Sequence, residues 1–463
     1  MPRRRIRIPA SDVAPAAFEA IRREADVPAS FPAAVEAEAA AAANVAPAGD
    51  RVDLPFVTID PPGSRDLDQA LHIEASGGGH RIHYAIADVS AFVAAGGALD
   101  RETHERGVTI YAPDARVPLH PPVLSEGAAS LLPGEWRPAL LWTLELDSGG
   151  ELTAANVERR VVRSVAQHTY ADVPPELEPL LREVGERRLA LERARGGVRL
   201  AVPEQEVVAE DGSWTVHYRA PLPAEEYNAQ VSLLTGMAAA EMMLSAGAGI
   251  LRTQPEPDAR DLARLREQAR ALRVQWPSAM TYPEFVRSLD PALPAHAALM
   301  HEATGVGRGA GYTAFDGQPP EDPRHFAIAA PYAHATAPLR RLQDRYVAEC
   351  CLAAAGAPLP GWVRAALPEL PAAMAAADKR ARTVERAAVD LVEALLLAGR
   401  EGERFEAVVI DDGLVQLREP AVRARLGDGA CPAPGSEVAV VLERSDPAKR
   451  AVSFSVASGP AGL

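Results

Sequence analysis

Thr58-Ile59-Asp60-Pro61-Pro62-Gly63-Ser64-Arg65-Asp66-Leu67-Asp68-Gln69 is the stretch on which the reading of this chain turns. A β-rich apolar run ends at Asp60, and Pro62-Gly63 turns the backbone. Asp66 and Asp68 follow two residues apart, so in extended backbone both carboxylates point to one side. The turn can bring them back beside Asp60. Three carboxylates in one place repel one another unless a cation sits between them. Hard oxygen ligands select Mg²⁺ or Mn²⁺ over zinc. Such a centre suits metal-assisted phosphodiester hydrolysis. Two plainer readings stand beside it. Aspartates also cap turns, with Arg65 neutralising a neighbour, and a calcium loop is a further option, although the EF-hand pattern with its closing Glu is absent.

Outward from this stretch the pattern is strand-rich. Pro55–Asp60, Ala70–Glu74 and Arg81–Asp88 read as short strands, the last with Ile82, Tyr84 and Ile86 alternating. Gly77-Gly78-Gly79 makes a loop between two of them. Asp100 is placed to cap a short helix that stops at Gly107. From Glu225 helices dominate. Tyr227, Val231, Leu234, Ala238 and Met242 share one helix face, Asp258 caps a second helix, a third begins near Thr336, and a long one runs from about Leu370 to Ala398. The last 60 or so residues return to short strands, Arg404–Ile410, Leu414–Leu417, Ser436–Leu442 and Arg450–Val456, which suit a small Greek-key barrel of the OB type. The class is α+β, an irregular sheet with helices at its edges. Residues 1–50 form a short helical N-terminal segment, 51–400 the catalytic unit and 401–463 the C-terminal barrel. Two short helices, Pro15–Ala25 and Ala33–Ala43, are consistent with a helix-turn-helix or with a helical arm packed on the next domain.

Composition bounds the rest. The chain has 463 residues, 48% of them apolar, enough for a sizeable core. Three cysteines, Cys350, Cys351 and Cys431, cannot build a disulfide framework or a zinc-finger pattern. No stretch is long and apolar enough for a membrane span, and a cytoplasmic location is expected. The net charge of −15 argues against a protein that coats nucleic acid, but says nothing against a local channel. All but two of the 48 basic residues are arginine, Lys379 and Lys449 being the exceptions; arginine suits phosphate contacts, and codon bias explains the excess equally well.

The motifs TIDPPGSRDLDQA, HYAIADVSAFV, LDRETHERGVTIYAPD, PLHPPVLSEGAASLLPG and YAHATAPLRR, in that order from about Pro55 to Ala398, resemble the catalytic RNB domain of the ribonuclease II / ribonuclease R family. The resemblance implies a bacterial, processive 3′→5′ exoribonuclease. It would use Mg²⁺, with Mn²⁺ as the alternative, to hydrolyse single-stranded RNA to nucleoside 5′-monophosphates. Asp60, Asp66 and Asp68 match three family aspartates. Gln69 stands where the fourth is usual, offering a carbonyl oxygen in place of a carboxylate. Those four are the expected metal residues. Asp88, in the IAD motif, is either a compensating ligand or a local hydrogen-bond partner.

Within the same resemblance, Tyr111 packs against the terminal nucleotide, where stacking is worth about 1–3 kcal/mol per base. No aromatic stands at Arg252-Thr253-Gln254-Pro255 to oppose it. Arg340 joins the three aspartates as a catalytic residue at the scissile or neighbouring phosphate, on a helix that Thr336 caps and Pro338 begins. Ala337 stands where the family usually has Ser. Arg341 binds RNA backbone or a surface carboxylate. Glu385 is the remaining RNA-binding position, or else pairs with Arg382 along the helix. Glu225, Glu226 and Asn228 serve as supporting or capping groups, and His334 is structural.

The chain is expected to be a monomer with single-stranded RNA as its partner and no small-molecule cofactor. The C-terminal barrel gives single strands an entry platform. The roughly 50 residues ahead of the RNB motif are too few for a cold-shock barrel of ~70 residues, so the usual N-terminal cold-shock domains are expected to be missing. Structured RNA with a 3′ overhang is then expected to be degraded closer to the duplex. Two rivals remain open: a catalytically impaired RNA-binding relative, motivated by Gln69, and a metal phosphoesterase acting on small nucleotides.

Overall fold

The computed structural model describes residues 8–9, 13–200, 204–210, 213–219, 221–427 and 431–457. Strand β1 (Ile8–Pro9) is followed by helices α1 (Val13–Glu24) and α2 (Ala33–Ala43). Next come β2 (Arg51–Ile59), β3 (Gln69–Ser76), β4 (Gly79–Ala87), helix α3 (Ala98–Arg106) and the hairpin β5 (Ile110–Tyr111) with β6 (Arg116–Val117). The long strands β7 (Trp136–Leu146) and β8 (Leu152–His168) complete this half.

The strands β2, β3, β4, β7 and β8 of the expected sheet close into a barrel in that order. Closure depends on the length of β8. Residues 152–163 pair antiparallel with β7, and residues 161–168 pair parallel with β2. Both faces of the sheet are buried, as the period of two requires when each side meets a core. Ile82, Tyr84 and Ile86 face the main core with Leu140, Trp142 and Leu144. Ala85 and Ala87 on the opposite side join a second core with Val35 and Ala39 of α2 and Leu99 of α3.

The helical half follows. It comprises α4 (Glu178–Ala194), the hairpin β9 (Glu204–Glu210) and β10 (Ser213–Arg219), α5 (Pro223–Ala246), β11 (Ala248–Thr253), α6 (Ala259–Ala271), α7 (Tyr282–Ser288) and α8 (Pro294–Val306). Strands β12 (Gly311–Asp316), β13 (Arg324–His325) and β14 (Ala330–Pro331) lead to α9 (Leu342–Ala354), α10 (Gly361–Ala366) and α11 (Leu370–Leu397). Asp258 caps α6 through Arg260 N–H at 2.7 Å, as expected. The cap of α3 comes from elsewhere: Glu38 of α2 accepts the Ala98 and Leu99 N–H groups at 2.7 and 3.2 Å. Asp100 instead accepts from Gly96 N–H at 2.7 Å and pairs with Arg345 at 2.6 Å.

The helix expected from Thr336 starts six residues later, at Leu342. Val108 and Arg341 form an antiparallel bridge, with Thr109 N–H donating to Arg340 O and Leu342 N–H to Gly107 O, both at 2.9 Å. Backbone drawn into that bridge cannot be helical. Gly107 fits because its φ is +70° and because a Cβ there would stand 2.4 Å from the Cβ of Ala377 on α11.

The C-terminal strands β15 (Arg404–Asp411), β16 (Leu414–Leu417), β17 (Arg423–Leu426), β18 (Glu437–Asp446) and β19 (Ala451–Val456) form a second closed barrel in the order β15-β16-β17-β19-β18. The parallel β17–β19 pair is the crossover that marks the expected OB-type arrangement. Phe405, Val409, Val415, Leu442 and Phe454 fill it. The N-terminal helices bury their apolar faces in separate cores, α1 against α11 and β5, α2 against the first barrel. Among the described residues no helix is long and apolar enough to cross a membrane.

Candidate active site

Asp68 is 2% exposed and has both carboxylate oxygens occupied. Oδ1 accepts the Leu339 N–H at 2.8 Å, and Oδ2 accepts the Arg340 Nε–H at 3.0 Å. Burial pushes its pKa up to about 7 against the pull of the Arg340 charge. The loop that carries it is strapped from the SEGAASLLPG segment. Ser130 Oγ accepts the Leu67 N–H at 2.9 Å and donates to Arg65 O at 2.6 Å, while Leu131 N–H donates to Leu67 O at 3.0 Å.

Asp66 is held by the β5–β6 hairpin. The Tyr111 hydroxyl donates to its Oδ2 at 3.0 Å and Arg116 to its Oδ1. Arg116 also reaches Glu126 at 2.6 Å. Asp60 follows β2, its N–H donating to His168 O at 3.0 Å. Its Oδ2 is buried with no hydrogen-bond partner among the described residues. Burial raises its pKa to about 6, with the Arg340 charge opposing and the Asp66 charge adding to the rise. Gln69 opens β3, and its amide nitrogen donates to Thr336 O.

Arg340 links these groups. Its charge acts on Asp60, Asp68 and Tyr111 together, and its own pKa is raised despite burial, chiefly by Asp68. The side chain is 46% exposed. Only Nε is used, so the two terminal nitrogens carry no hydrogen bond among the described residues. Arg340 is therefore a fixed cation with free donors, placed by a turn and by the bridge to Val108 and not by a helix N-terminus as expected.

The expected gathering of three carboxylates around one metal is not what the side chains do. Among the described residues no group of three or more Asp, Glu, His or Cys side chains is disposed to hold a metal ion. The reason is electrostatic: Asp66 and Asp68 have each taken a guanidinium partner, Arg116 and Arg340. Asp60 is different. A buried carboxylate oxygen with no hydrogen-bond partner among the described residues, with a raised pKa and a second carboxylate whose charge adds to the rise, is where a cation would be stabilised. The donor set thus fits a hard divalent ion at Asp60, with the Asp66 carboxylate near enough for its charge to be felt.

The remaining sequence-derived positions fall as follows. Tyr111 is 50% exposed, its ring free while its hydroxyl anchors Asp66. Arg341 is occupied by Asp344 at 2.8 Å. Asp344 also accepts the Ala337 N–H at 2.7 Å. Asp88 accepts from Ser90 N–H at 3.1 Å and Arg159 at 2.8 Å, a local structural role. Glu225 is held by Arg219 at 2.8 and 2.9 Å, and Glu226 by Arg199 at 3.0 Å. Glu385 lies on the exposed side of α11 with no hydrogen bond or ion pair to the site among the described residues. His334 is structural, 3.1 Å from the Tyr312 hydroxyl.

Four contributors escaped the sequence reading. Ser130 lies inside a quoted motif and Arg116 just beyond one, but both reveal their role only through partners 65 and 50 residues away. Tyr170 borders Asp60 and Asn228, which shift its pKa upward and downward respectively, burial being the largest cause of its net rise. Tyr312, paired with Arg252 across β11–β12, places an aromatic ring under that guanidinium at 4.4 Å. No local signal marked either tyrosine.

Residues 49–355 match the RNB domain family, and residues 403–457 match the RNase II-type exonuclease C-terminal S1 domain. The chain belongs to the RNB-domain family. Among its relatives is Ribonuclease R of Escherichia coli, 30% identical over an alignment 352 residues long that covers 70% of this chain and 43% of that protein. Ribonuclease R of Aquifex aeolicus is 28% identical over 85% of this chain and 60% of that protein. The chain thus spans roughly half the length of the curated relatives it matches. The family's fold extends over nearly all of it. Mycoplasma genitalium RNase R, solved with ribose-methylated single-stranded RNA, superposes with a TM-score of 0.85 at 18% identity, covering 96% of this chain and 78% of that one. Yeast Ssd1, described as a pseudonuclease, shares the RNB-type fold at TM-score 0.69 and 15% identity, covering 92% of this chain and 58% of that one. Membership of the family and its fold therefore leave the chemistry to be argued from the side chains.

Proposed function

We propose that this chain is a divalent-metal-dependent, processive 3′→5′ exoribonuclease that releases nucleoside 5′-monophosphates from single-stranded RNA. The observation that carries this reading is Arg340: a guanidinium fixed by Asp68, half exposed, its terminal nitrogens without hydrogen bonds among the described residues, beside the orphaned Oδ2 of Asp60 and the half-exposed Tyr111.

Each side chain has a part. Tyr111 offers its face to the terminal base, a contact blind to sequence. Arg340 donates from its terminal nitrogens to the phosphate and stabilises charge that grows on the leaving 3′-oxygen. Asp68 and the Leu339 N–H hold that guanidinium in place before substrate arrives, so it needs no reorganisation during the step. Asp60 and Asp66, with the Gln69 carbonyl, would hold the cation. A divalent ion, Mg²⁺ or Mn²⁺, when bound there supplies Lewis-acid stabilisation and a water of lowered pKa. Tyr170, beside Asp60, borders the same space. The assignment of Arg341 and Glu385 to RNA binding is weakened by the Asp344 pairing of the one and by the other's exposed place on α11 with no hydrogen bond to the site among the described residues.

Gln69 favours one rival, an RNA-binding relative without turnover, because its amide nitrogen is spent on Thr336 where a fourth carboxylate would add charge. The two readings separate on one assay. With Mg²⁺, an oligoribonucleotide labelled at its 3′ end releases labelled mononucleotide at once, while the 5′-labelled form passes to a short end product with few intermediate lengths. Tight binding without mononucleotide release would favour the rival, and internal fragments would contradict both.

A further inference from the structure

The hairpin β5–β6 has two residues in each strand. A two-stranded ribbon so short is not stable by itself, yet it carries Tyr111 and Arg116, the two side chains on Asp66. Its stability comes from helix α1. Below the hairpin, Ile110 packs with Phe18 and Ile21 of α1 and Val384 of α11. At its tip, Asp114 receives Arg22 of α1 through both terminal nitrogens, at 2.6 and 2.9 Å. The two side chains are only 17% and 13% exposed. A two-pronged, largely desolvated ion pair of this kind fixes direction as well as distance.

The same arm grips the other end of the segment. After α1 the chain passes Ser30, whose carbonyl accepts from Arg106 at 2.8 Å, and Phe31, whose ring lies 3.8 Å from the Arg106 guanidinium carbon. Arg106 immediately precedes Gly107, where the bridge to the Arg340 segment begins. Two positions beyond Arg22, on another side of the helix, Glu24 takes Arg450 of the C-terminal barrel at 2.6 and 2.7 Å. Helix α1 is therefore fastened to the barrel on one side and to the hairpin on the other.

We infer that Arg22 is a positioning residue for the reaction: through Asp114 it fixes the β5–β6 hairpin and so sets where Tyr111 and Arg116 hold Asp66. This rests on the nuclease reading of that hairpin. Arg22 and Asp114 bond to each other, and among the described residues neither bonds to Asp60, Asp66, Asp68 or Arg340.

The test is a set of full-length variants. Arg22→Ala and Asp114→Ala each lower kcat by roughly tenfold to a hundredfold, the size expected from displacing a reacting group by about an ångström, with KM little changed. The double variant is no worse than either single one, and Arg22→Lys recovers only part of the loss because lysine lacks the fork. When Tyr111→Ala and Arg116→Ala are already present, Arg22→Ala costs less than about threefold, the sign of coupling through the hairpin. Hydrogen exchange over residues 109–117 accelerates in Arg22→Ala, while that of α11 does not. Equal losses in both backgrounds, or unchanged exchange at 109–117, would overturn the inference. Wild-type chain that releases no mononucleotide would instead sink the nuclease reading, and exchange, which needs no turnover, still decides whether Arg22 anchors the hairpin.

Discussion

Arg340 stands at the centre of the site because one nitrogen is used for position and two are left for chemistry. Lysine at 340 keeps the charge but cannot bridge Asp68 and also donate two parallel bonds to phosphate. Arg340→Lys is expected to reduce single-turnover cleavage by about a hundredfold or more, the range for losing an oriented transition-state donor, with RNA affinity falling far less; equal losses in affinity and rate would argue for a binding role alone. Asp60 makes a different prediction. Its pKa in the fold, about 6, lies above the ordinary 3.8, so between those values the folded chain holds a proton that the unfolded chain has released. Its contribution to stability is complete below pH 3.8 and is lost as the pH rises through 6. Without divalent ions, Asp60→Asn is thus expected to unfold at higher urea than wild type at pH 7, by on the order of 2–3 kcal/mol at most, and to lose that advantage by pH 4. Added Mg²⁺ is expected to stabilise the wild type and not the variant.

The elements explain why part of the site was legible and part was not. The Asp60–Gln69 stretch was readable because its turn, its strand ends and its carboxylate spacing are all local. The start of α9 was not, because Thr336 and Pro338 carry an N-terminal signature that the bridge between Val108 and Arg341 overrides. Barrel closure was also hidden: β8 pairs with β7 over one part of its length and β2 over another, and no periodicity within β8 declares a second partner. β17 is four residues, Arg-Ala-Arg-Leu, too short a run to announce a strand. Partners that complete the site, Ser130 for the Leu67 loop and Arg116 for Asp66, are meaningful only once distant elements meet. Ser130→Ala leaves the buried Leu67 N–H without its acceptor and is expected to cost about 1–3 kcal/mol of stability. It should lower kcat as well, since the loop it holds carries Asp68. Denaturant unfolding with parallel turnover measurements checks both, and a stability loss with full activity would show that the loop positions itself.

At the scale of the molecule, buried titratable groups pull stability in opposite directions. His120 is buried with its Nδ1 3.1 Å from Leu339 O, and burial lowers its pKa from 6.5 to about 4. It is neutral in the fold, so the stability it allows is present above pH 6.5 and is lost as the pH falls toward 4. The raised Asp60 and Asp68 act the other way over an overlapping range. The wild-type stability profile between pH 4 and 7 is therefore expected to be shallow, and His120→Asn to shift its maximum toward acid. A steep wild-type profile in this window would mean that these groups do not oppose one another.

The first barrel, the helical half and the hairpin braced by the N-terminal arm meet around one small volume where Asp68 pairs with Arg340. Asp68→Asn tests that claim most directly. The amide still accepts the Leu339 N–H but no longer pairs with the guanidinium. Mononucleotide release is expected to fall by about a thousandfold or more, while the affinity for a single-stranded oligoribonucleotide stays within about threefold of wild type. Release within tenfold of wild type would contradict the account.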